Sequence, residues 1–193
     1  MKSKINWLWD RFWAGGLSNP ITAIEQISYL LFMRRLEYVE GGKLFNKANS
    51  QLKWSYYTVE LEPEKMLAHI KNKVFPFIKT KLNAPHEPFS LSMKNAVFLI
   101  DKASLLKDAV DTINEIYDEI EKQQKKGQHF QDTQGDLYEY LLDATNQAGK
   151  NGQFRTPRHI IQMMCEIINP NVNDKICDLT SGTAGFLVGA YQH

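Results

Sequence analysis

The chain has 193 residues, 43% hydrophobic and 23% charged, and its 23 Lys and Arg against 22 Asp and Glu leave a formal charge of +1. It is long enough to bury a core without staples. The balanced charge excludes a uniformly basic nucleic-acid coat, though not a local basic face. No apolar run reaches the roughly 18 residues of a membrane span, and Met1-Lys2-Ser3-Lys4 leads into Trp7, Trp9 and Asp10 rather than a signal-peptide core. Cys165 and Cys177 form neither a disulfide framework nor a metal site, so a reducing cytoplasm is the expected compartment.

The first 150 residues predict helices. Ile5, Leu8, Trp9, Phe12 and Trp13 form one helical stripe, closed by Gly15-Gly16. Asn19-Pro20 is an N-cap and first-turn proline for a second helix that carries Ile24, Ile27, Leu30 or Leu31, and Met33 as far as Gly41-Gly42. Residues 43–61 predict a loop holding Trp54, Tyr56 and Tyr57. Pro63 opens a helix with Met66, Leu67, Ile70 and Val74 on one face, and Pro76 disturbs its end. Residues 83–88 are a connection, and 92–100 predict a short helix. The cleanest helix is about 104–126, with Leu106, Ala109 or Val110, Ile113, Ile116 or Tyr117, and Ile120 recurring every three to four residues. It finishes in Lys122, Lys125, Lys126 and Gly127, which suits the negative end of a helix dipole. Thr133 and Asp136 resemble a capping box for a helix over 134–147, stopped by Gly149.

The character changes after Gly149. Lys150-Asn151-Gly152 is a join, and Thr156-Pro157 caps a helix with Ile160, Ile161, Met164, Ile167 and Ile168 as its apolar face. Pro170 ends that helix and 171–174 is a turn. Lys175-Ile176-Cys177-Asp178-Leu179 predicts a buried strand, followed by the glycine loop Ser181-Gly182-Thr183-Ala184-Gly185 and the start of another helix. A lone strand needs partners, so the sheet it belongs to is expected beyond His193.

Strand, glycine loop and helix start together form a candidate ligand loop. Glycine permits left-handed dihedrals and close approach of a ligand to the backbone, and a helix N-terminus offers N–H groups to an anion. The loop is neither the dinucleotide fingerprint nor a Walker loop. Asp178 is placed to accept from a ligand ammonium or to cap its own turn, two readings of equal weight. His69, His86, His129 and His159 have no metal spacing, and no local nucleophile signature is present. The cluster Lys122, Lys125 and Lys126 reads either as helix-end charge or as a set of phosphate contacts on duplex DNA.

Three segments occur in order: Gly135-Asp136-Leu137-Tyr138-Glu139-Tyr140-Leu141-Leu142, then Gly152-Gln153-Phe154-Arg155-Thr156-Pro157-Arg158, then Asp178-Leu179-Thr180-Ser181-Gly182-Thr183-Ala184-Gly185-Phe186-Leu187. Together they resemble the modification (methyltransferase) subunit of type I restriction-modification systems, an adenine-N6 DNA methyltransferase family that uses S-adenosylmethionine. The resemblance implies a mainly α chain. A helical N-terminal bundle over 1–149, contacting DNA or partners, would precede the truncated beginning of a Rossmann-like α/β methyltransferase domain over 150–193. It implies cofactor contacts at Gln153, Phe154, Arg155, Thr156, Pro157 and Arg158, and at Asp178, Gly182, Thr183, Ala184 and Gly185. Leu179, Thr180-Ser181 and Arg155 depart from the family's usual residues. Implied partners are double-stranded DNA, a specificity subunit that sets the DNA target, a restriction subunit and a second copy of the chain.

Methylation of an exocyclic adenine nitrogen needs a flipped base and groups that hold its amino group. The resembled family supplies these with Asn-Pro-Pro-aromatic. The chain has seven prolines, no two of them adjacent. The 193-residue chain alone is therefore expected to be inactive and to bind the cofactor weakly or not at all. One rival reading is a non-catalytic helical module that assembles with specificity and restriction subunits. Another is a methyltransferase acting on RNA or protein.

Overall fold

The computed structural model describes residues 2–82, 91, 93–124, 156–182 and 184–193. They divide into two compact units, Met1–Ala148 and Gly149–His193. The helix expected over 134–147, its capping residues and its Gly149 stop lie outside the described residues.

In the first unit, α1 (Lys2–Ala14) and α2 (Pro20–Leu44) follow the sequence signals. Ile5, Leu8 and Phe12 are buried, as an i, i+3, i+7 stripe requires. Trp13, placed on the same stripe from sequence, is 54% exposed. The turn after α1 depends on Gly16, whose φ of +103° suits glycine. Asn19 caps α2 by accepting the Ile21 N–H at 3.0 Å. The helix does not stop at Gly41-Gly42 but runs to Leu44. Its terminus is supplied by Asn49, which donates to the Leu44 carbonyl at 2.9 Å and accepts from the Asn46 N–H at 2.7 Å. Two glycines in a helix cost only about 1 kcal/mol each, and a polar cap beyond them decides the end.

The expected 43–61 loop contains structure. A 3-10 turn at Ser50–Leu52 leads into α3 (Trp54–Val59), which buries Trp54 and Tyr57. Tertiary contacts hold this short helix. Glu37 of α2 accepts from the N–H and hydroxyl of Ser55 at 2.7 and 2.6 Å, capping its N-terminus. Trp54 Nε1 donates to Asn114 Oδ1 at 2.8 Å.

Pro63 opens α4 (Pro63–His69), which passes through a π-helical turn at Ile70–Val74 into α5 (Phe75–Thr80). Pro76 falls in the first turn of α5, where a missing N–H costs little. The preceding turn widens, with the Phe75 N–H reaching the Ile70 carbonyl. Proline thus shifts the helical register rather than ending the run.

Residues 96–100 are not the expected helix but an extended segment. Ala96, Phe98 and Ile100 point inward and are buried, while Val97 and Leu99 are exposed. The fully buried Gln26 holds the segment: its Nε2 donates to Val97 O at 3.0 Å and its Oε1 accepts from Leu99 N at 2.8 Å. A side-chain amide stands where a neighbouring strand would.

The long helix α6 (Ala103–Gln124) packs on α1, α2 and α4. Leu106, Ala109, Val110, Ile113, Ile116, Tyr117 and Ile120 are all essentially buried. Tyr117 Oη reaches the Leu31 carbonyl at 3.2 Å. Ion pairs line the α1–α6 seam: Arg11 with Asp108, and Lys4 with Glu115 and Glu119 at 2.8 and 2.9 Å. Exposed pairs of this kind contribute little each.

Tyr57 is fully buried, and among the described residues its Oη has no hydrogen-bond partner. Burial pushes its phenol well above the ordinary range, with the charge of Glu37 adding and that of Arg34 opposing. A folded-state pKa above the unfolded value contributes stability below about pH 10 that is lost as pH rises further. Tyr57→Phe is therefore expected to be neutral or stabilising by up to about 1 kcal/mol at pH 7 and to delay alkaline unfolding. Urea titrations at pH 7 and near pH 10.5 check this, and a clear loss of stability at pH 7 refutes it.

In the second unit, α7 (Arg158–Ile168) ends on left-handed Asn169, and α8 (Gly185–Gln192) packs against it. Between them Asn171 and Asp174 close the expected turn, the Asp174 N–H bonding to the Asn171 carbonyl at 2.9 Å. The expected strand at 175–179 is not formed, and no strand occurs among the described residues. Ile176 is 49% and Leu179 93% exposed. A strand takes its hydrogen bonds from a neighbour, and the described residues supply none.

A candidate cofactor loop between two helices

The Gln153–Arg158 and Asp178–Gly185 segments flank α7 and lead into α8. Gln153, Phe154, Arg155 and Thr183 lie outside the described residues. Pro157 occupies the cap position of α7, and its carbonyl accepts the N–H groups of Ile160 and Ile161 at 3.0 and 3.2 Å. Thr156 therefore precedes the cap instead of making it. Thr156 and Pro157 are exposed and Arg158, the first helical residue, is half-buried.

The second segment is a tight turn. Asp178 Oδ1 accepts from the Thr180 N–H at 3.0 Å and the Thr180 hydroxyl at 3.4 Å. The local-cap reading of Asp178 is thus realised, and an aspartate retains acceptor capacity beyond it. The Ala184 N–H bonds to the Ser181 carbonyl at 2.6 Å. Gly182 (φ +51°) and Ala184 (φ +61°) are both left-handed. For alanine this conformation costs roughly 1–2 kcal/mol, and such backbone strain clusters at ligand-holding turns. Ala184 then caps α8, whose first residue is Gly185.

A carboxylate, a turn open around Gly182, and a helix N-terminus are the donor and acceptor set that the amino-acid end of S-adenosylmethionine requires. The carboxylate suits an ammonium, and the helix N–H groups suit a carboxylate. The residues present fit that part of the cofactor.

Sequence reasoning missed how α7 and α8 engage. A Cβ added to Gly189 would lie 2.4 Å from Ile161 Cγ2, and one on Gly185 3.2 Å from Ile161 Cδ1. The available signal was the pair of glycines four residues apart on one helical face.

Of the basic cluster at the end of α6, Lys122 is exposed in the last turn, while Lys125 and Lys126 lie outside the described residues. A cleft of about 240 Å³ between α1 and α6, lined by Ser3, Lys4, Trp7, Thr112 and Glu115, has Lys4 and Glu115 paired with each other. Among the described residues no group of three or more His, Cys, Asp or Glu side chains is arranged to hold a metal. No described helix is long and apolar enough to cross a membrane.

A family model described as the HsdM N-terminal domain matches residues 1–147. The chain belongs to that family. A second model, N-6 DNA Methylase, matches residues 129–193 and takes in both candidate cofactor segments. Over 193 aligned positions the chain is 25% identical to the type I restriction enzyme EcoEI methylase subunit of Escherichia coli, covering 92% of this chain and 38% of that protein. Over 61 residues it is 37% identical to the EcoKI methylase subunit of Escherichia coli strain K12, covering 31% of this chain and 12% of that one. The fold is similar, with a TM-score of 0.63 at 22% identity, to a chain solved in work on complex assembly and conformational transition of the type I R-M system. That likeness covers 98% of this chain and 40% of the other. The chain thus corresponds to the N-terminal region of type I methylase subunits and spans well under half of their length.

Proposed function

We propose that this sequence serves as the N-terminal part of a DNA methyltransferase subunit of a type I restriction-modification system. The whole subunit transfers a methyl group from S-adenosylmethionine to adenine N6. The observation that carries the reading is the succession of matches: the helical domain of the family over 1–147, then the N-6 methylase over 129–193. The second of these contains a strained turn that opens on a helix N-terminus.

In this reading residues 1–149 form the DNA- and partner-contacting domain and 150–193 begin the catalytic domain. S-adenosylmethionine supplies an electrophilic methyl group when bound. Asp178 and the Gly182–Gly185 turn hold its amino-acid end, and Gln153, Phe154, Arg155, Thr156, Pro157 and Arg158 form a second wall. Lys122, with Lys125 and Lys126, contacts DNA phosphates. The partners are duplex DNA, the specificity and restriction subunits, and a second copy of the methylase. The exposed apolar residues Met164, Ile167, Ile168 and Leu179 support the view that 150–193 belongs to a larger domain, because large apolar side chains left in water forgo the gain of burial.

The test is methyl transfer from labelled S-adenosylmethionine to duplex DNA. The complete gene product, assembled with its specificity subunit, is expected to label adenine N6. The 193-residue chain alone is expected to label nothing, since no Pro-Pro pair is present for the acceptor motif. Labelling by the short chain, or none by the complete assembly, overturns the proposal.

A further inference from the structure

We infer that Ile161 and Gly189 act as a positioning pair that sets the two candidate cofactor segments against each other. The inference rests on the cofactor reading above and extends it to residues outside both segments. Ile161 lies in the first turn of α7, its N–H bonded to the Pro157 carbonyl at 3.2 Å, so its backbone is tied to the Thr156–Arg158 segment. On the other side, α8 starts at Gly185, directly after the turn that begins at Ser181. The Ile161 side chain spans one turn of α8, resting on Gly185 through Cδ1 and on Gly189 through Cγ2. Ile161 and Cys165 are the buried side chains among the described residues of this unit. The contact of Ile161 with both glycines, and of Cys165 with Gly189, is therefore what holds α8, and the turn leading into it, in register with α7.

A methyl group at position 189 has no room. At 2.4 Å from Ile161 Cγ2 it sits far inside the 3.5–4.0 Å optimum for two carbons, and Cys165 Sγ stands 3.5 Å away on the same side. Relief requires α8 to move off α7, carrying the 181–184 turn with it. Shifts of about 1 Å in a binding constellation are enough to cost affinity or rate heavily.

The experiment is calorimetric titration of the complete gene product with S-adenosylmethionine. Gly189→Ala is expected to weaken affinity by about tenfold or more, which is about 1.4 kcal/mol, with the number of sites per polypeptide unchanged. A merely structural role predicts the reverse, fewer sites at unaltered affinity. Ile161→Leu moves the branch from the β- to the γ-carbon and so removes the methyl that position 189 would strike. The double variant Gly189→Ala/Ile161→Leu is therefore expected to return to within about threefold of the parent. Unchanged affinity in Gly189→Ala, loss of sites instead of affinity, or a double variant no better than the single one overturns the inference. Absence of binding by the unsubstituted polypeptide is a different result: it removes the cofactor reading, and this inference with it.

Discussion

Truncating Ile113 to alanine is expected to destabilise the helical unit by about 3–4 kcal/mol, as isoleucine-to-alanine changes in rigid cores do. Ile113 is fully buried at the middle of α6, the helix that packs on α1, α2 and α4. The helix packs on several elements, so collapse into a cavity at its buried face needs concerted movement that close packing resists. Trp13→Ala removes more atoms but is expected to change stability by no more than about 0.5 kcal/mol, because Trp13 is 54% exposed. Urea denaturation of the whole chain with tryptophan fluorescence checks both. All four tryptophans, Trp7, Trp9, Trp13 and Trp54, lie in the first unit, so the signal reports that unit. In the Trp13 experiment Trp7, Trp9 and Trp54 remain as native reporters. Similar costs for the two substitutions would mean that α6 is not the organising helix.

The same contrast shows how far the sequence was legible. Helix α6 was read nearly to its ends because its period of 3.6 persists over 22 residues and burial follows period directly. Local hydrogen-bonding chemistry fixed the Asn19 cap and the Asn171–Asp174 turn, which were equally readable. Failures came where tertiary partners overrode local signals. The six residues of α3 are too few to show a period, and the carboxylate that caps it sits on another helix, at Glu37. Residues 96–100 alternate inward and outward, but a short apolar run is ambiguous between helix and strand. The deciding group, Gln26, is 71 residues away from Val97. At 175–179 the composition suits a strand, but a strand is a property of a pair, and the described residues supply no partner.

The candidate site was legible as a set of motifs and not as a geometry. Glycines at 182 and 185 signalled a turn before a helix, and both lie there. Nothing in the sequence indicated that Ala184 would take φ +61°. Nor did it indicate that Asp178 would spend one oxygen on Thr180. The packing of Ile161 into α8 depends on helix-to-helix register, which pattern alone does not encode.

Gln26→Glu is expected to destabilise the helical unit by about 3 kcal/mol at pH 7 and by less than about 1 kcal/mol at pH 4. The parent amide uses both ends, donating to Val97 O and accepting from Leu99 N, in a position with no exposed surface. An ionised carboxylate can still accept from Leu99 but faces the Val97 carbonyl with a second acceptor, and it is desolvated there. Both effects disfavour the charged form and raise its folded-state pKa above the unfolded value near 4.3. The protonated form restores an O–H donor toward Val97 and matches glutamine in shape. For a group raised in this way, stability is complete below the unfolded pKa and falls as pH rises through the folded one. A rise of about two pKa units accounts for about 3 kcal/mol across that window. Gln26→Leu provides the control, since it lacks both polar ends and should be destabilised to the same degree at either pH. Denaturation of the three proteins in parallel at pH 4 and pH 7 separates the cases. If the Gln26→Glu deficit does not shrink on acidification, the amide is not the clamp that holds residues 96–100 in extended form.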